Sequence, residues 1–244
     1  YWSSSEINPV TGKKQYVGLT PDEEIALGLN TAPEMARQFG GLEANNQAQD
    51  LVDSVGTKLV QQGGAAELGW NFDFHVLADD QTVNAFALPG GQIFITDALL
   101  SRLTREDQLA GVLAHEIGHV VARHGAQQMA KQKLTEGLTN AAVIASGDYT
   151  VGNLTQMASR FITMKYGRED EIESDMLGLR YMEKAGYEPS AMIEVMKILQ
   201  EASGGAADGM PEFFSTHPHP EHRIGLIQQA LKDGSYRQAQ MAVQ

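Results

Sequence analysis

The 244 residues contain no cysteine. That removes disulfides, thiolate metal ligands and thiol nucleophiles at once, so any bound metal must be held by histidine and carboxylate. Long apolar runs are missing too. The longest soft stretch, Ala141-Ala142-Val143-Ile144-Ala145, falls far short of the roughly 20 residues that span a bilayer as a helix. No signal-peptide pattern opens the chain. Positive charge is scarce, with 18 Lys and Arg against 31 Asp and Glu and a net charge of −13. Proteins that bind nucleic acid carry a basic patch or stripe. A nucleic-acid partner is therefore not expected, and the acidic excess reads as a solubility feature. The first residue is Tyr1 and not Met, so a processed or trimmed chain is the expectation, one that a leader or anchor could have preceded.

What is present suffices for a folded domain: 42% of residues are apolar, an ordinary share for a protein with a real core. Residues 1–20 are polar, carry the turn-like Asn8-Pro9-Val10-Thr11-Gly12, and read as an arm or tether. A single domain is expected over 21–235, followed by a short tail, 236–244. Thr20-Pro21-Asp22-Glu23 is a helix start, with Thr as N-cap, Pro in the first turn and acids beside the helix dipole. A second helix is predicted over about 47–62, closed by Gly63-Gly64. From Trp70 the period changes to two: Phe72, Phe74 and Val76 alternate with Asn71, Asp73 and His75, as in a half-buried strand. Two more short strands, 83–88 and 92–96, flank the tight turn Pro89-Gly90-Gly91.

After residue 104 the pattern is nearly all helical. Thr104-Arg105-Glu106-Asp107 resembles a capping box, and the helix it opens is predicted to run to His124 and stop at Gly125. Further helices are predicted over about 169–184 and 190–202. The stretch 203–219 reads as a loop, and Pro220 opens a last helix. The fold class expected is α+β, mainly helical, with a small sheet.

The run His115-Glu116-Ile117-Gly118-His119 carries the chemistry. Residues four apart share one helix face, so both imidazoles can turn to a single ion. Glu116, rotated by about 100°, flanks the ion's open position, where a carboxylate can take a proton from water acidified by the metal. Such a run can arise by accident, but the apolar face of its helix (Leu109, Val112, Leu113, Val120) gives it a core to pack on. A catalytic zinc takes three protein ligands and leaves one position open. An extended motif would need Gly at 122 and His at 125, where the chain has Ala122 and Gly125. His124, five residues from His119, is out of register and reads as a polar helix-end residue facing elsewhere. Glu171 and Asp175, four apart on the helix 169–184, offer a carboxylate ligand and an acceptor for a ligand's free ring N–H. By spacing alone they could equally be a solvated acidic helix start.

Taken together, these motifs resemble those of the HtpX/BepA-like zinc metallopeptidases. The His-Glu-Ile-Gly-His run is similar to the family's zinc helix, and Glu171-Ile172-Glu173-Ser174-Asp175 to its third-ligand motif, with Ser174 where Ala is usual. Asn84-Ala85-Phe86 through Pro89-Gly90-Gly91 resembles the strand and turn ahead of that helix, and Ser215-Thr216-His217-Pro218 with Arg223 its late His-Pro and Arg signature. The resemblance implies a gluzincin-type domain holding one Zn2+ through His115, His119 and Glu171. It implies Glu116 as catalytic base, Asp175 as an outer support, and His217 and Arg223 as residues of the cleft. His217 would either stabilise the oxyanion or serve as a reversible fourth ligand. Asn84, Ala85 and Phe86 would bind an extended protein or peptide substrate. The resemblance further implies a periplasmic protein, associated with the outer membrane through an N-terminal anchor. Some members add a helical repeat domain, and none is recognisable in these residues. Two other readings stand beside peptide hydrolysis: a zinc-holding, chaperone-like module with a His-capped site, and a hydrolase of non-peptide substrates.

Overall fold

The computed structural model describes residues 4–136, 151–204, 212–218 and 220–238; the apolar stretch 141–145 and the end of the tail, 239–244, lie outside them. The N-terminal stretch read as an arm is a hairpin of β1 (Ser4–Ile7) and β2 (Lys14–Val17), antiparallel, with Ser4 opposite Val17. Its turn is locked by Asn8, whose Oδ1 accepts from the amides of Val10 and Thr11 at 2.8 and 3.0 Å. Helix α1 (Pro21–Gln38) starts where the sequence indicates, with a full capping box between Thr20 and Glu23, and α2 (Asn46–Gly63) ends on Gly64 in the left-handed region.

Three strands follow: β3 (Asp73–Leu77), β4 (Ala85–Ala87) and β5 (Gln92–Thr96). Their order is β3-β5-β4, with β5 parallel to β3 and antiparallel to β4. The β4–β5 turn is Pro89-Gly90-Gly91, and both glycines have positive φ, 87° and 117°. A side chain on Gly90 would also strike the Ile25 backbone. In the central strand, Ile93 and Ile95 enter the main core while Phe94 faces a second core with Phe39, Phe86 and Met35. That is why β5 is buried along its whole length and shows no polar alternation.

Beyond the short α3 (Asp97–Leu100), helix α4 (Glu106–Val121) carries the His-Glu-His run, and every residue from Gln108 to Val121 is buried. Two expectations about its ends are corrected. The helix starts one residue later than a Thr104 cap requires: Arg105 is the N-cap without a side-chain bond, and Gln108 reaches back to accept from the Thr104 amide. Its C-terminus falls at Val121, not at Gly125, because Arg123 takes a left-handed φ of 60° and α5 (His124–Glu136) starts afresh. The αL geometry, worth about 1–3 kcal/mol of strain, is held by the buried Arg123 side chain. This reaches Glu24, Glu6 and the Leu19 carbonyl, and lies over the Trp70 ring. The hairpin docks here as well, since Asn8 Nδ2 donates to the Val121 carbonyl at 3.0 Å. A helix-end acceptor that would otherwise be orphaned is thereby satisfied.

The remaining helices are α6 (Val151–Ile162), α7 (Arg168–Lys184), α8 (Ala191–Gly204), α9 (Glu212–Thr216) and α10 (Pro220–Asp233). The loop expected at 203–219 thus contains a helical turn, α9, which seats His217. None of the described helices is long and apolar enough to cross a membrane. The chain is mainly helical with a small mixed sheet, the α+β class expected. Helices α4 and α7 pack almost backbone to backbone. A Cβ on Gly118 would lie 2.9 Å from Ser174 Cα and O, and one on Gly178 would lie 3.3 Å from the Ala114 and His115 backbone. Overpacking a tight core contact costs about 1–3 kcal/mol. Gly118→Ala is therefore expected to lower stability by about that amount in urea unfolding and to loosen metal binding, since it wedges the two helices apart.

Candidate metal centre

Helix α4 supplies His115, Glu116 and His119; α7 supplies Glu171 and Asp175; the segment after α9 supplies His217; α10 supplies Arg223. All seven are buried. Four of them, His115, His119, Glu171 and His217, present ligand atoms within 4.8 Å of one another. His115 Nε2 lies 3.1 Å from His119 Nε2, 3.3 Å from His217 Nδ1 and 3.6 Å from Glu171 Oε2. Glu171 Oε1 lies 3.4 Å from His119 Nε2 and 3.0 Å from His217 Nδ1.

These spacings test whether an ion fits. Zinc ligands about 2.0–2.1 Å from a tetrahedral centre lie roughly 3.3 Å from one another, and the five separations scatter around that value. Three ring nitrogens gathered so closely can turn their lone pairs to one cation. The electrostatics agree. Burial holds the His119 pKa well below the ordinary histidine value, in the neutral form that a ligand requires. Burial pushes Glu171 up, but His217 and Arg223 outweigh it and hold the carboxylate ionised. The residues present therefore fit a bound divalent metal.

Glu116 stands apart from this set. Its carboxylate is buried, neither oxygen has a hydrogen-bond partner among the described residues, and burial raises its pKa. A buried, unpartnered carboxylate with an elevated proton affinity suits a group that exchanges protons with water. His217 Nε2 lies 3.7 Å from Glu116 Oε1 and is itself without a hydrogen-bond partner among the described residues.

Arg223 reaches the ligands from behind. Its Nε donates to Asp175 Oδ2 at 2.8 Å and its Nη2 to Asp175 Oδ1 at 2.7 Å, while Nη1 lies 2.5 Å from Glu171 Oε2. Asp175 Oδ1 is also 3.0 Å from His115 Nδ1. One guanidinium thus steadies both α7 carboxylates, and Asp175 faces the ring nitrogen of His115 turned away from the ligand cluster.

Asn84, Ala85 and Phe86 lie at the sheet edge. Asn84 O accepts from the Thr96 amide at 3.1 Å and Leu88 N donates to Gln92 O at 2.8 Å. The alternation therefore turns the backbone of Phe86 towards β5 and that of Ala85 and Ala87 outward. The Phe86 side chain leaves the site and stacks on Phe39 and Phe94. At Val83 the edge is occupied, as its carbonyl accepts from the Phe213 amide.

His124 corrects the sequence reading: it is buried, not a helix-end surface group, with Nδ1 3.0 Å from His119 Nδ1. The break at Arg123 is what turns it inward, and spacing counted along one unbroken helix hides this. Sequence reasoning also missed Tyr166, stacked on the His119 ring at 4.0 Å, and Phe213, stacked on His217 at 4.4 Å. Nothing in either residue's local pattern marks it.

A family model described as Peptidase family M48 matches residues 46–231. The mitochondrial metalloendopeptidase OMA1 of Schizosaccharomyces pombe is 29% identical over 240 residues, 97% of this chain and 69% of that protein. The beta-barrel assembly-enhancing protease of Yersinia pestis is 29% identical over 232 residues, 91% of this chain and 46% of its own length. Its counterpart in Escherichia coli K12 is 30% identical over 183 residues, 71% of this chain and 37% of that protein.

The buried guanidinium gives a direct test. Removing one partner of a buried ion pair typically costs about 3–5 kcal/mol, because the charge left behind is uncompensated. Arg223→Met is expected to destabilise the metal-free protein by that order in urea unfolding and to weaken metal retention at equilibrium dialysis.

Proposed function

Because the chain belongs to peptidase family M48, and so is a metallopeptidase, we propose that it is a zinc endopeptidase cutting extended or unfolded segments of envelope proteins. One observation carries the reading: a tetrahedrally spaced His115, His119 and Glu171 beside the unpartnered, buried carboxylate of Glu116. Zinc, when bound, supplies Lewis acidity to a carbonyl and to water. Asp175 accepts the free N–H of His115, keeping its other nitrogen available as a ligand. Glu116 takes a proton from water and returns it to the leaving amine, a role its raised proton affinity favours. The outward backbone of Ala85 and Ala87 accepts the substrate as an added strand, reading main chain and not side chains. That suits a substrate lacking fixed structure. The relatives named for mitochondria and for beta-barrel assembly support work in an organelle or envelope, here the periplasm.

A second reading concerns the resting state. His217 Nδ1 stands at ligand distance from both Glu171 and His115, which favours a closed site in which His217 is the fourth ligand. Substrate access then requires the segment between α9 and α10 to move. In that form the protein holds zinc and binds clients without cutting them.

Two variants separate these roles. Glu116→Gln is expected to keep one zinc per chain while casein cleavage falls by about 10²–10⁴-fold; retained cleavage would remove Glu116 from the mechanism. His217→Ala is expected to raise cleavage if His217 closes the site. A fall would instead make it an oxyanion donor, whose loss typically costs about 10²–10³-fold. Zinc-loaded protein that cuts nothing, with or without His217, would favour the binding module.

A further inference from the structure

The two α4 histidines are supported by different chemistry. His115 faces the carboxylate of Asp175, itself held by Arg223. His119 faces another imidazole. Its Nδ1 lies 3.0 Å from His124 Nδ1, and Ser174 Oγ lies 3.3 Å from the same His124 atom. His124 Nε2 lies 3.0 Å from Glu173 Oε2, and Glu173 Oε1 meets Lys13 Nζ, in the N-terminal hairpin, at 2.8 Å. His119 and His124 are buried and Glu173 is largely so, while Lys13 is exposed.

We propose that His124 is a positioning residue for the metal centre, fixing His119 in the tautomer that presents Nε2 as a ligand. This rests on the reading that His115, His119 and Glu171 hold the ion. The direction of the hydrogen bonds follows from the far end. An ionised carboxylate only accepts, so Glu173 requires the proton of His124 to sit on Nε2. His124 Nδ1 is then an acceptor, and it takes the N–H of His119 Nδ1. A neutral imidazole has one N–H, so His119 Nε2 is left with its lone pair, aimed at Glu171 and His115. Reversing the bond would put the His119 proton on Nε2 and block that ligand position. The arrangement also explains the break at Arg123: a continuous α4 could not bring residue 124 back against residue 119. Because Lys13 orients Glu173, the N-terminal hairpin belongs to the metal site's outer support. Influence should weaken outward, since the Lys13–Glu173 pair is partly exposed and screened.

The test is zinc affinity, measured by competition with a chromogenic chelator on the purified chain, with thermal unfolding of the metal-free proteins alongside. Loss of such an outer support typically weakens metal binding about 10–100-fold. His124→Phe, which keeps the ring volume and removes both nitrogens, is expected to show that loss with little change in metal-free unfolding. His124→Asn, whose Oδ1 can stand near the place of Nδ1, is expected to recover most of it. Glu173→Ala, which removes only the outer acceptor, is expected to lose several-fold and serves if the Phe variant does not fold. Wild-type affinity in His124→Phe, or in Glu173→Ala where that variant stands alone, overturns the proposal. Equal losses in the Phe and Asn variants do so as well, by reducing His124 to packing. Wild-type protein that binds no zinc overturns the metal reading and this inference with it.

Discussion

Gly118 and Gly178 let α4 and α7 approach until the backbone of one touches the backbone of the other, and the metal centre is a product of that approach. Two histidines on a helix face can make only half a site. The carboxylate that completes it must come from a second helix whose axis lies close enough for a short Glu side chain to reach. Any Cβ at 118 would push Ser174, and with it Glu171 and Asp175, outward. The glycine inside the His-Glu-Ile-Gly-His run is therefore as much a determinant of the site as the residues that carry its chemistry.

Around that contact the fold adds constraints from every side. Arg223 arrives from α10 and ties Asp175 to Glu171. His217 arrives from the turn after α9, stacked on Phe213. Tyr166 covers His119. The N-terminal hairpin holds the end of α4 through Asn8 and reaches Glu173 through Lys13. Burial raises the stakes of each polar group, since an unpaired one in this dry interior would cost more than a surface group. Most are paired, while both oxygens of Glu116 and the Nε2 of His217 are without a hydrogen-bond partner among the described residues.

Much of this was legible beforehand, for reasons that are local. The Thr20 cap, the Gly64 stop, the Pro89-Gly90-Gly91 turn and the period-two pattern through Phe74 and Val76 are written in neighbouring residues. That His115 and His119 face one cluster with Glu171, and Asp175 lies behind it, was legible because a helix converts a spacing of four into a shared face. What stayed hidden depends on contacts between distant parts. Periodicity cannot show that β5 is central, because both of its faces are covered. The break at Arg123 is held by Glu24, Glu6 and Leu19, about a hundred residues away in sequence. His124 was misplaced because its direction follows from that break. The turn α9 and the stacking of Tyr166 on His119 are likewise through-space facts.

The charges around the ligands have a consequence of their own. Glu116, Glu171 and Asp175 place three carboxylates in one interior, and Arg223 is the only permanent cation among the described residues that touch them there. In the state a bound ion favours, with the histidines neutral and all three carboxylates ionised, the pocket carries a net charge of −2. A bound divalent cation would offset that charge. Valence thus joins ligand type as a constraint that the surrounding charges place on a bound ion.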